Sequence, residues 1–189
     1  MARANEPVTT SLATLREALG TGALVRVERT VESGHVTGRV AALTSRLVAL
    51  AVFADDMRPN GFEVVRRVDL RRVRLDPYPA FHARALSARG LRLPRLGGIR
   101  VTSFREAIAD AARRFPLVAV HRERIRRGAC LIGRPYPNSA ERFSLLTVDP
   151  DATWDPVPVQ LLYRDVTRVD FGGGYEEALH LVAGPPPRA

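Results

Sequence analysis

TLREAL at residues 14–19 returns 89 residues later as SFREAI at residues 103–108. Each copy places a hydroxyl side chain three positions before a glutamate, the capping-box pattern that begins a helix. The following segments also correspond, since LVRV at 24–27 matches LVAV at 117–120, and both alternate like half-buried strands. The sequence therefore predicts one structural unit written twice.

The correspondence extends to the end of each unit. Gly38-Arg39 recurs as Gly133-Arg134, and VDLRRV at 68–73 recurs as RDVTRV at 164–169. Each unit is predicted to contain a helix, five short strands and a short tail helix. In the first unit the strands are expected near residues 24–31, 35–43, 46–54, 62–68 and 71–75, with a turn at Pro59-Asn60-Gly61.

Five short, strongly bent antiparallel strands hide their edges best by closing on themselves. We therefore expect a mainly β protein with short helices (α+β), built as two tandem five-stranded barrels that each follow a helix. The third strand is apolar on both faces, so one face should point into the barrel and the other should lie under the helix. The expected organisation is a first barrel at 1–91, a linker at 92–102, a second barrel at 103–184 and a disordered tail at 185–189.

This element order, with a tight turn between strands four and five, resembles the Sm-like fold of the SH3-like barrel group. The stretches GFEVVRRVDLRRV (61–73), YPAFHARALSARGL (78–91) and WDPVPVQLLYRDVTRVDFGGGYEEAL (154–179) are similar to an uncharacterised bacterial family with tandem Sm-like domains. That resemblance implies a fold and no established activity. The Asp and Asn with which Sm proteins bind bases between strands two and three are missing from residues 43–46.

Composition excludes several classes of protein. The 189 residues are 46% hydrophobic, which is too apolar for a wholly disordered chain. The longest apolar run, residues 47–54, is far shorter than the ~20 residues that cross a bilayer. Cys130 is the single cysteine, so an intrachain disulfide and a cysteine-rich zinc site are excluded, and no leader pattern opens the sequence. We expect a cytoplasmic protein with no membrane partner.

Few residues suggest catalysis. Asp69 and Asp165 recur at equivalent positions, where a carboxylate could serve as a base or metal ligand, but capping a tight turn is the favoured interpretation. The histidines lack metal-ligand spacing, and the apolar surroundings of Cys130 favour a small buried side chain. We expect no enzymatic activity, no cofactor and no metal.

Arginine carries the positive charge of the chain. All 29 basic residues are arginine, against 20 acidic residues, for a net charge of +9. Residues 78–134 hold 13 arginines and three acids, a net +10, so the rest of the chain is close to neutral. Guanidinium groups bind phosphate through two parallel hydrogen bonds. Candidate nucleic-acid-binding residues are Arg66, Arg67, Arg71, Arg72, Arg74, Arg122, Arg124, Arg126 and Arg127.

Two functions are compatible with these features. The arginines could bind nucleic acid, such as RNA, although a solvated or internally paired surface is the favoured interpretation, since no aromatic residue is interleaved with them. Alternatively, open barrel edges could bind another protein or a second copy of the chain, giving a homo-oligomer. In that case the duplication already pairs two units within one chain.

Overall fold

A computed structural model describes residues 8–187 of the chain. The first unit opens with helix α1, continues through five strands and ends with helix α2, and a 3₁₀ turn at Arg67–Asp69 separates its last two strands. Its elements are α1 (Val8–Thr21), β1 (Leu24–Arg29), β2 (Val36–Leu43), β3 (Leu47–Phe53), β4 (Pro59–Arg66), β5 (Leu70–Leu75) and α2 (Pro79–Ala88).

The second unit repeats this order, with a 3₁₀ turn at Tyr163–Asp165 in the equivalent place. Its elements are α3 (Phe104–Arg114), β6 (Val118–His121), β7 (Cys130–Pro137), β8 (Arg142–Thr147), β9 (Val159–Leu162), β10 (Arg168–Phe171) and α4 (Gly174–Ala183). The element order expected from the duplicated sequence is therefore present in both halves.

All ten strands form one antiparallel sheet in the order β5-β1-β2-β3-β4-β10-β6-β7-β8-β9. Within each unit the order is fifth, first, second, third and fourth strand. The mainly β architecture with short helices is confirmed, but the structure does not show two closed barrels. Within residues 8–187, β4 pairs with β10 of the other unit rather than with β5, so hydrogen bonds expected to close a barrel join the units instead.

The recurring Gly-Arg pairs have the same structural role in both units. A Cβ atom at Gly38 would collide with the backbone of Ala51 across the β2–β3 ladder, and one at Gly133 would collide with Leu146 across β7–β8. The neighbouring Arg39 donates to the Pro94 carbonyl at 2.8 Å, and Arg134 donates to the Phe115 carbonyl at 3.0 Å. The repeated sequence thus preserves close strand contacts and an arginine anchor.

Only one of the two predicted capping boxes begins a helix. Ser103 is the N-cap of α3, and its hydroxyl accepts a hydrogen bond from the Glu106 amide at 3.2 Å. The prediction for Thr14 is wrong, because α1 already begins at Val8 and Thr14 lies inside it. A hydroxyl residue and a glutamate three apart also share one face of a continuing helix, so the pattern does not fix where the helix starts.

The predicted turn at Pro59-Asn60-Gly61 is also wrong, since these residues begin strand β4. The chain reverses just before them, where the Ala54 amide donates to the Arg58 carbonyl at 2.9 Å and Met57 has a φ of 64°.

Both faces of β3 are buried, as expected, but they contact two different cores. Val48, Leu50 and Val52 pack under Leu15 and Ala18 of α1. The alternate residues Leu47, Ala49 and Ala51 instead join a larger core that includes α3 and most strands of the second unit. The first unit therefore has a core of its own, with buried residues from all five of its strands, and the other face of β3 belongs to a core shared with the second unit.

The segment at 92–102 is packed rather than extended through solvent. Leu96, Ile99 and Val101 are buried in the core that joins the two units. Helix α4 ends at Ala183, and residues 184–187 contain neither helix nor strand. Residues 1–7 of the predicted first domain and 188–189 of the predicted tail lie outside the described residues.

Candidate functional site

The arginines of the first unit are largely engaged within the protein. Arg67 donates to the carbonyls of Thr44 and Ser45 at 3.0 and 2.9 Å, which holds the β2–β3 turn against the first 3₁₀ turn. Arg66 donates to the Arg164 carbonyl, and its guanidinium carbon lies 5.8 Å from the centre of the Phe104 ring. Their charges are therefore used partly to join segments of this chain.

Three further arginines lie along β5, around one carboxylate on the neighbouring strand. Arg71 and Arg74 contact Glu28 of β1 at 2.8 and 3.1 Å. Hydrogen bonding from Arg71 and the charges of Arg71, Arg74 and Arg72 lower the pKa of Glu28. This part of the predicted surface is thus partly neutralised.

The second-unit arginines divide into one that is paired and three that are not. Arg124 forms an ion pair with Asp69 of the first unit. Within the described part of the chain, no hydrogen bond or ion pair engages the side chains of Arg122, Arg126 and Arg127. Arg124, Arg126 and Arg127 are exposed, and Arg122 is half-buried. Nucleic-acid binding by these nine residues stays a prediction, and only some of them offer free guanidinium groups.

Asp69 and Asp165 each end a 3₁₀ turn between the fourth and fifth strands of their units. Asp69 is buried, its carbonyl accepts from the Thr30 amide at 2.8 Å, and its carboxylate pairs with Arg124. Asp165 is half-buried and lies 3.9 Å from the side chain of Arg164. Asp69 therefore helps to hold the two units together, a role that its position in the repeat did not predict.

The unit junction is the ladder between β4 and β10, in which Phe62 faces Phe171 and Val64 faces Val169. The two phenylalanine rings lie 5.5 Å apart and are buried. Gly61 has a φ of +70°, and a Cβ atom there would collide with the backbone of Phe171 and Gly172. The strand that begins at Pro59 can therefore approach β10 only because residue 61 has no side chain.

A group of buried charges lies beside the unit junction. Arg29 at the end of β1 donates to both carboxylate oxygens of Glu123 in the second unit, one of them at 2.9 Å. Arg29 and Glu123 are 4% and 5% exposed. On the junction strands, Arg168 contacts Asp170 at 3.0 Å and lies 3.9 Å from Glu63. Ion pairs between the units thus reinforce the hydrophobic ladder.

The carboxylates of this group outnumber its guanidinium groups. Arg29 and Arg168 face four carboxylates, of which that of Glu32 is exposed: Glu32, Glu63, Glu123 and Asp170. Burial and the Asp170 charge raise the pKa of Glu63 to about 8. Burial also raises the pKa of Glu123, but hydrogen bonds from Arg29 and Thr167 outweigh it and leave that pKa lowered. Glu63 is therefore the carboxyl group that retains its proton most readily.

A polar cleft of about 680 Å³ adjoins these charges, and Glu32, Glu123, His121 and Cys130 are among its lining residues. Cys130 is exposed, so its predicted burial is wrong, because it occupies the first position of β7 next to an exposed loop. The His121 imidazole contacts Asp170 at 2.8 Å. Partial desolvation of the thiol by neighbouring protein atoms, together with the Asp170 charge, raises the pKa of Cys130, which favours the thiol over the nucleophilic thiolate. Among residues 8–187, no group of histidine, cysteine and acidic side chains is arranged to bind a metal.

The two ends of the sheet present unpaired strand edges. Within the described residues, β5 pairs only with β1 and β9 only with β8. Exposed apolar side chains lie at both ends: Leu75 at the end of β5, Val159 at the start of β9, and Val157 two residues before β9. These residues were not among the predicted site residues, although Leu75 and Val159 are apolar residues of a fifth and a fourth strand.

No family model, curated protein or solved structure matches this chain. In the part of the chain that the structure describes, no helix has both the length and the apolar character needed to cross a bilayer. The function therefore has to be inferred from the geometry of the chain itself.

Proposed function

We propose that this protein is a self-assembling binding module made of two Sm-like units, in which β9 of one copy pairs with β5 of the next. One observation carries the proposal. The β4–β10 ladder joins the fourth strand of one unit to the fifth strand of the other. The remaining fourth and fifth strands, β9 and β5, are the two unpaired ends of the sheet.

The repeat supplies an expected register for that contact. Superposing the first 3₁₀ turn on the second equates Phe62 with Pro158, and equates Phe171 with Leu75. The pair Phe62–Phe171 of the unit junction would then be replaced by Pro158 facing Leu75 of the next copy. Leu75 and Val159 are 43% and 39% exposed in the isolated chain. Burying these apolar side chains favours association.

The same edges carry features that keep the contact short. Pro158 cannot donate a backbone hydrogen bond, and Arg71, Arg72 and Arg74 place positive charge along β5. Proline and charged side chains are common means of restricting edge-to-edge pairing. We therefore expect a weaker contact between copies than between the two units, with pairing limited to the few residues of β9.

A contact between β9 and β5 joins two different surfaces, so it is heterologous rather than two-fold symmetric. Repeated addition of copies gives a closed ring if the rotation per copy closes, and a filament if it does not. Each unit of the assembly would then have its fourth strand paired with the fifth strand of a neighbour.

Light scattering coupled to size-exclusion chromatography tests the proposal over a range of protein concentrations. We expect the native chain to form species larger than a dimer, and Leu75→Lys or Val159→Lys to prevent this, because each introduces a charge beside the arginines or apolar residues of the facing edge. Both positions are exposed, so the fold should be retained. Val182→Lys, a matched change at an exposed apolar residue of α4, should leave assembly unchanged.

Mixing the two edge variants distinguishes heterologous pairing from other modes. Leu75→Lys retains a functional β9 edge and Val159→Lys retains a functional β5 edge, so the mixture should form a dimer that grows no further. A strictly monomeric native chain would refute self-assembly. Assembly that persists in both edge variants would show that another surface is responsible.

A further inference from the structure

A groove of about 840 Å³ lies beside α2, the tail helix of the first unit. The turn before β1, the end of β3 and residues 90–95 form its other walls, and none of its lining residues belongs to β5 or β9. Pockets of ~300–1,000 Å³ are typical for the recognition of a compact group. The groove is therefore large enough for an aromatic side chain and its neighbours, and it is separate from the two sheet edges of the proposed assembly.

The apolar walls of this groove are only partly covered. Leucines from β1, α2 and the segment after α2 line it together with Phe53, and all of these side chains are half-buried: Leu24, Leu86, Leu91 and Leu93. Ala83 of α2 is exposed at the same place. Covering apolar surface that is in contact with water favours association. The groove is therefore suited to an apolar or aromatic group.

The corresponding region of the second unit is closed. Aligning the strand ladders on Gly38 and Gly133, and the tail helices on Tyr78 and Tyr175, gives three pairs of equivalent positions: Leu24 with Leu117, Phe53 with Val148, and His82 with Leu179. In the second unit all three residues are buried and form a small core. The two units therefore differ in how the space beside the tail helix is filled.

The connection between β8 and β9 closes this region of the second unit. Its residues Ala152 and Trp154 pack against the small core, and Trp154 forms a β-bridge with Val148. The equivalent connection of the first unit has five residues, 54–58, instead of the eleven at 148–158, and none of the five is aromatic. The first unit thus lacks the segment that supplies Trp154, and its groove is the open counterpart of the closed core.

Helix α2 is held in place without such a segment. His82, at the position equivalent to Leu179, is buried, and its Nδ1 atom lies 2.9 Å from the carboxylate of Asp76. Asp76 also accepts a hydrogen bond from Arg26 at 2.9 Å, and the His82 ring lies 5.0 Å from the Phe53 ring. These contacts fix α2 beside β1 and β3, so the groove stays open to a partner.

Arginine supplies all the charge of the groove lining. Arg39, Arg92 and Arg95 line the groove, and no acidic residue does. Within residues 8–187, no hydrogen bond or ion pair engages the side chains of Arg92 and Arg95, and both residues are exposed. Asp56, in the turn after β3, contacts Arg58 at 3.1 Å. Two guanidinium groups at the groove can therefore bind carboxylates.

The segment that closes the second unit has the complementary charge. Three aspartates surround Trp154: Asp149, Asp151 and Asp155. This segment thus combines an aromatic side chain that fits beside a tail helix with carboxylates that free arginines can bind. A second copy of the chain does not offer it, because Trp154 already packs within its own unit.

We propose that the groove of the first unit binds an acidic segment of another protein through an aromatic anchor. The aromatic side chain packs against Phe53 and Leu86, as Trp154 packs in the second unit. Acidic neighbours of the anchor contact Arg92 and Arg95. Aromatic side chains in pockets supply much of the binding energy at protein interfaces, and complementary charge adds specificity.

Isothermal titration calorimetry of the full chain with the synthetic peptide VDPDATWDP tests the proposal. The peptide copies residues 148–156, so it has the required chemistry and ends before β9. We expect one site per chain with a Kd below ~1 mM, and weaker binding as the salt concentration rises. Absence of binding at ~1 mM peptide would refute the proposal.

Two altered peptides separate the aromatic anchor from the charge. A peptide with alanine in place of tryptophan, and one with asparagine in place of all three aspartates, should each bind at least about tenfold more weakly. Equal binding of the alanine peptide would overturn the proposal, since charge alone would then explain the interaction.

Ala83→Trp fills the groove from within the chain and should abolish binding of the peptide. Ala88→Trp adds the same side chain to α2 at an exposed residue that does not line the groove, and should leave the affinity unchanged. Because both positions are exposed, the fold should be retained in both variants. Unchanged affinity in Ala83→Trp would show that the peptide binds elsewhere and would contradict the proposal.

Two matched double variants test the arginines. Arg92→Gln with Arg95→Gln should weaken peptide binding about tenfold. Arg126→Gln with Arg127→Gln removes the same charge from exposed residues outside the groove and should leave the affinity unchanged. Equal weakening by both double variants would reveal nonspecific attraction of an acidic peptide and overturn the assigned contacts.

A labelled single-stranded RNA distinguishes a peptide groove from a nucleic-acid site. Binding of the RNA should be absent or unaffected by Ala83→Trp. If Ala83→Trp abolished RNA binding and the native chain did not bind the peptide, the groove would be a nucleic-acid site and the proposal would be wrong.

Discussion

Fourth and fifth strands meet at the unit junction inside the chain, while β9 and β5 remain unpaired at its outer edges. The unit junction buries Phe62 against Phe171 and is flanked by the buried Arg29–Glu123 pair. The outer edges expose Leu75 and Val159 instead. The unit junction and the outer edges therefore both offer a fourth and a fifth strand that can pair. Only the unit junction also has a hydrophobic core and buried charges.

Among the variants at the unit junction, the largest loss of unfolding free energy is expected from Arg29→Met. This change leaves Glu123 buried without its partner at the unit junction, and breaking such a pair costs about 3–5 kcal/mol. Thermal and urea unfolding should show this loss of stability. Replacing both residues, with Glu123→Met added, should recover much of it, because apolar pairs often replace buried ion pairs at little cost. A double variant as unstable as Arg29→Met would show that the unpaired charge of Glu123 does not cause the loss of stability.

Gly61→Ala should destabilise the protein by about 2–4 kcal/mol, because it adds strain at a positive φ to a collision across the unit junction. Gly90 has a similar φ of +63° but no atom within 4 Å of an added Cβ. Gly90→Ala therefore measures the conformational strain alone. Equal losses of unfolding free energy for the two variants would contradict the role assigned to the close approach of β4 and β10.

Sequence reasoning succeeded where the information was local. The recurrence of TLREAL as SFREAI and of Gly38-Arg39 as Gly133-Arg134 predicted two units with the same element order. It failed to locate the start of α1, because Thr14 has the spacing of a cap but lies within a longer helix. Local patterns identify which elements form, and their exact ends depend on flanking residues.

The candidate sites depended on contacts that no local pattern encodes. Pro59-Asn60-Gly61 has the composition of a turn, yet Asn60 accepts a hydrogen bond from the Gly174 amide at 3.0 Å, 114 positions away. Which arginines are free was equally unpredictable, since the partner of Arg124 is Asp69 in the other unit. Both features arise from pairing β4 with β10 rather than closing each barrel.

The unit junction and the outer edge should also differ in pH dependence, which should have opposite signs for two glutamates, one at each place. Burial and the Asp170 charge raise the pKa of Glu63 in the folded state. The pKa of Glu63 is near 4.5 in the unfolded chain and about 8 in the folded chain, so the unfolded chain loses this proton first as the pH rises. The free energy of unfolding is therefore greatest below pH 4.5 and falls as the pH rises towards 8. Glu63→Gln cannot ionise, so its melting temperature should match that of the native protein at pH 4.5 and exceed it at pH 8.5.

Glu28→Gln is the matched variant beside the outer edge. The hydrogen bond from Arg71 is the main influence that lowers the pKa of Glu28, so its charge stabilises the fold above the unfolded pKa and this contribution is lost as the pH falls through the folded value. Glu28→Gln should therefore lower the melting temperature slightly at pH 7 and have less effect in acid. Calorimetry across this pH range measures both variants. If both variants lowered the melting temperature at neutral pH, Glu63 would be stabilised as a carboxylate. That result would contradict the excess of carboxylates around Arg29 and Arg168.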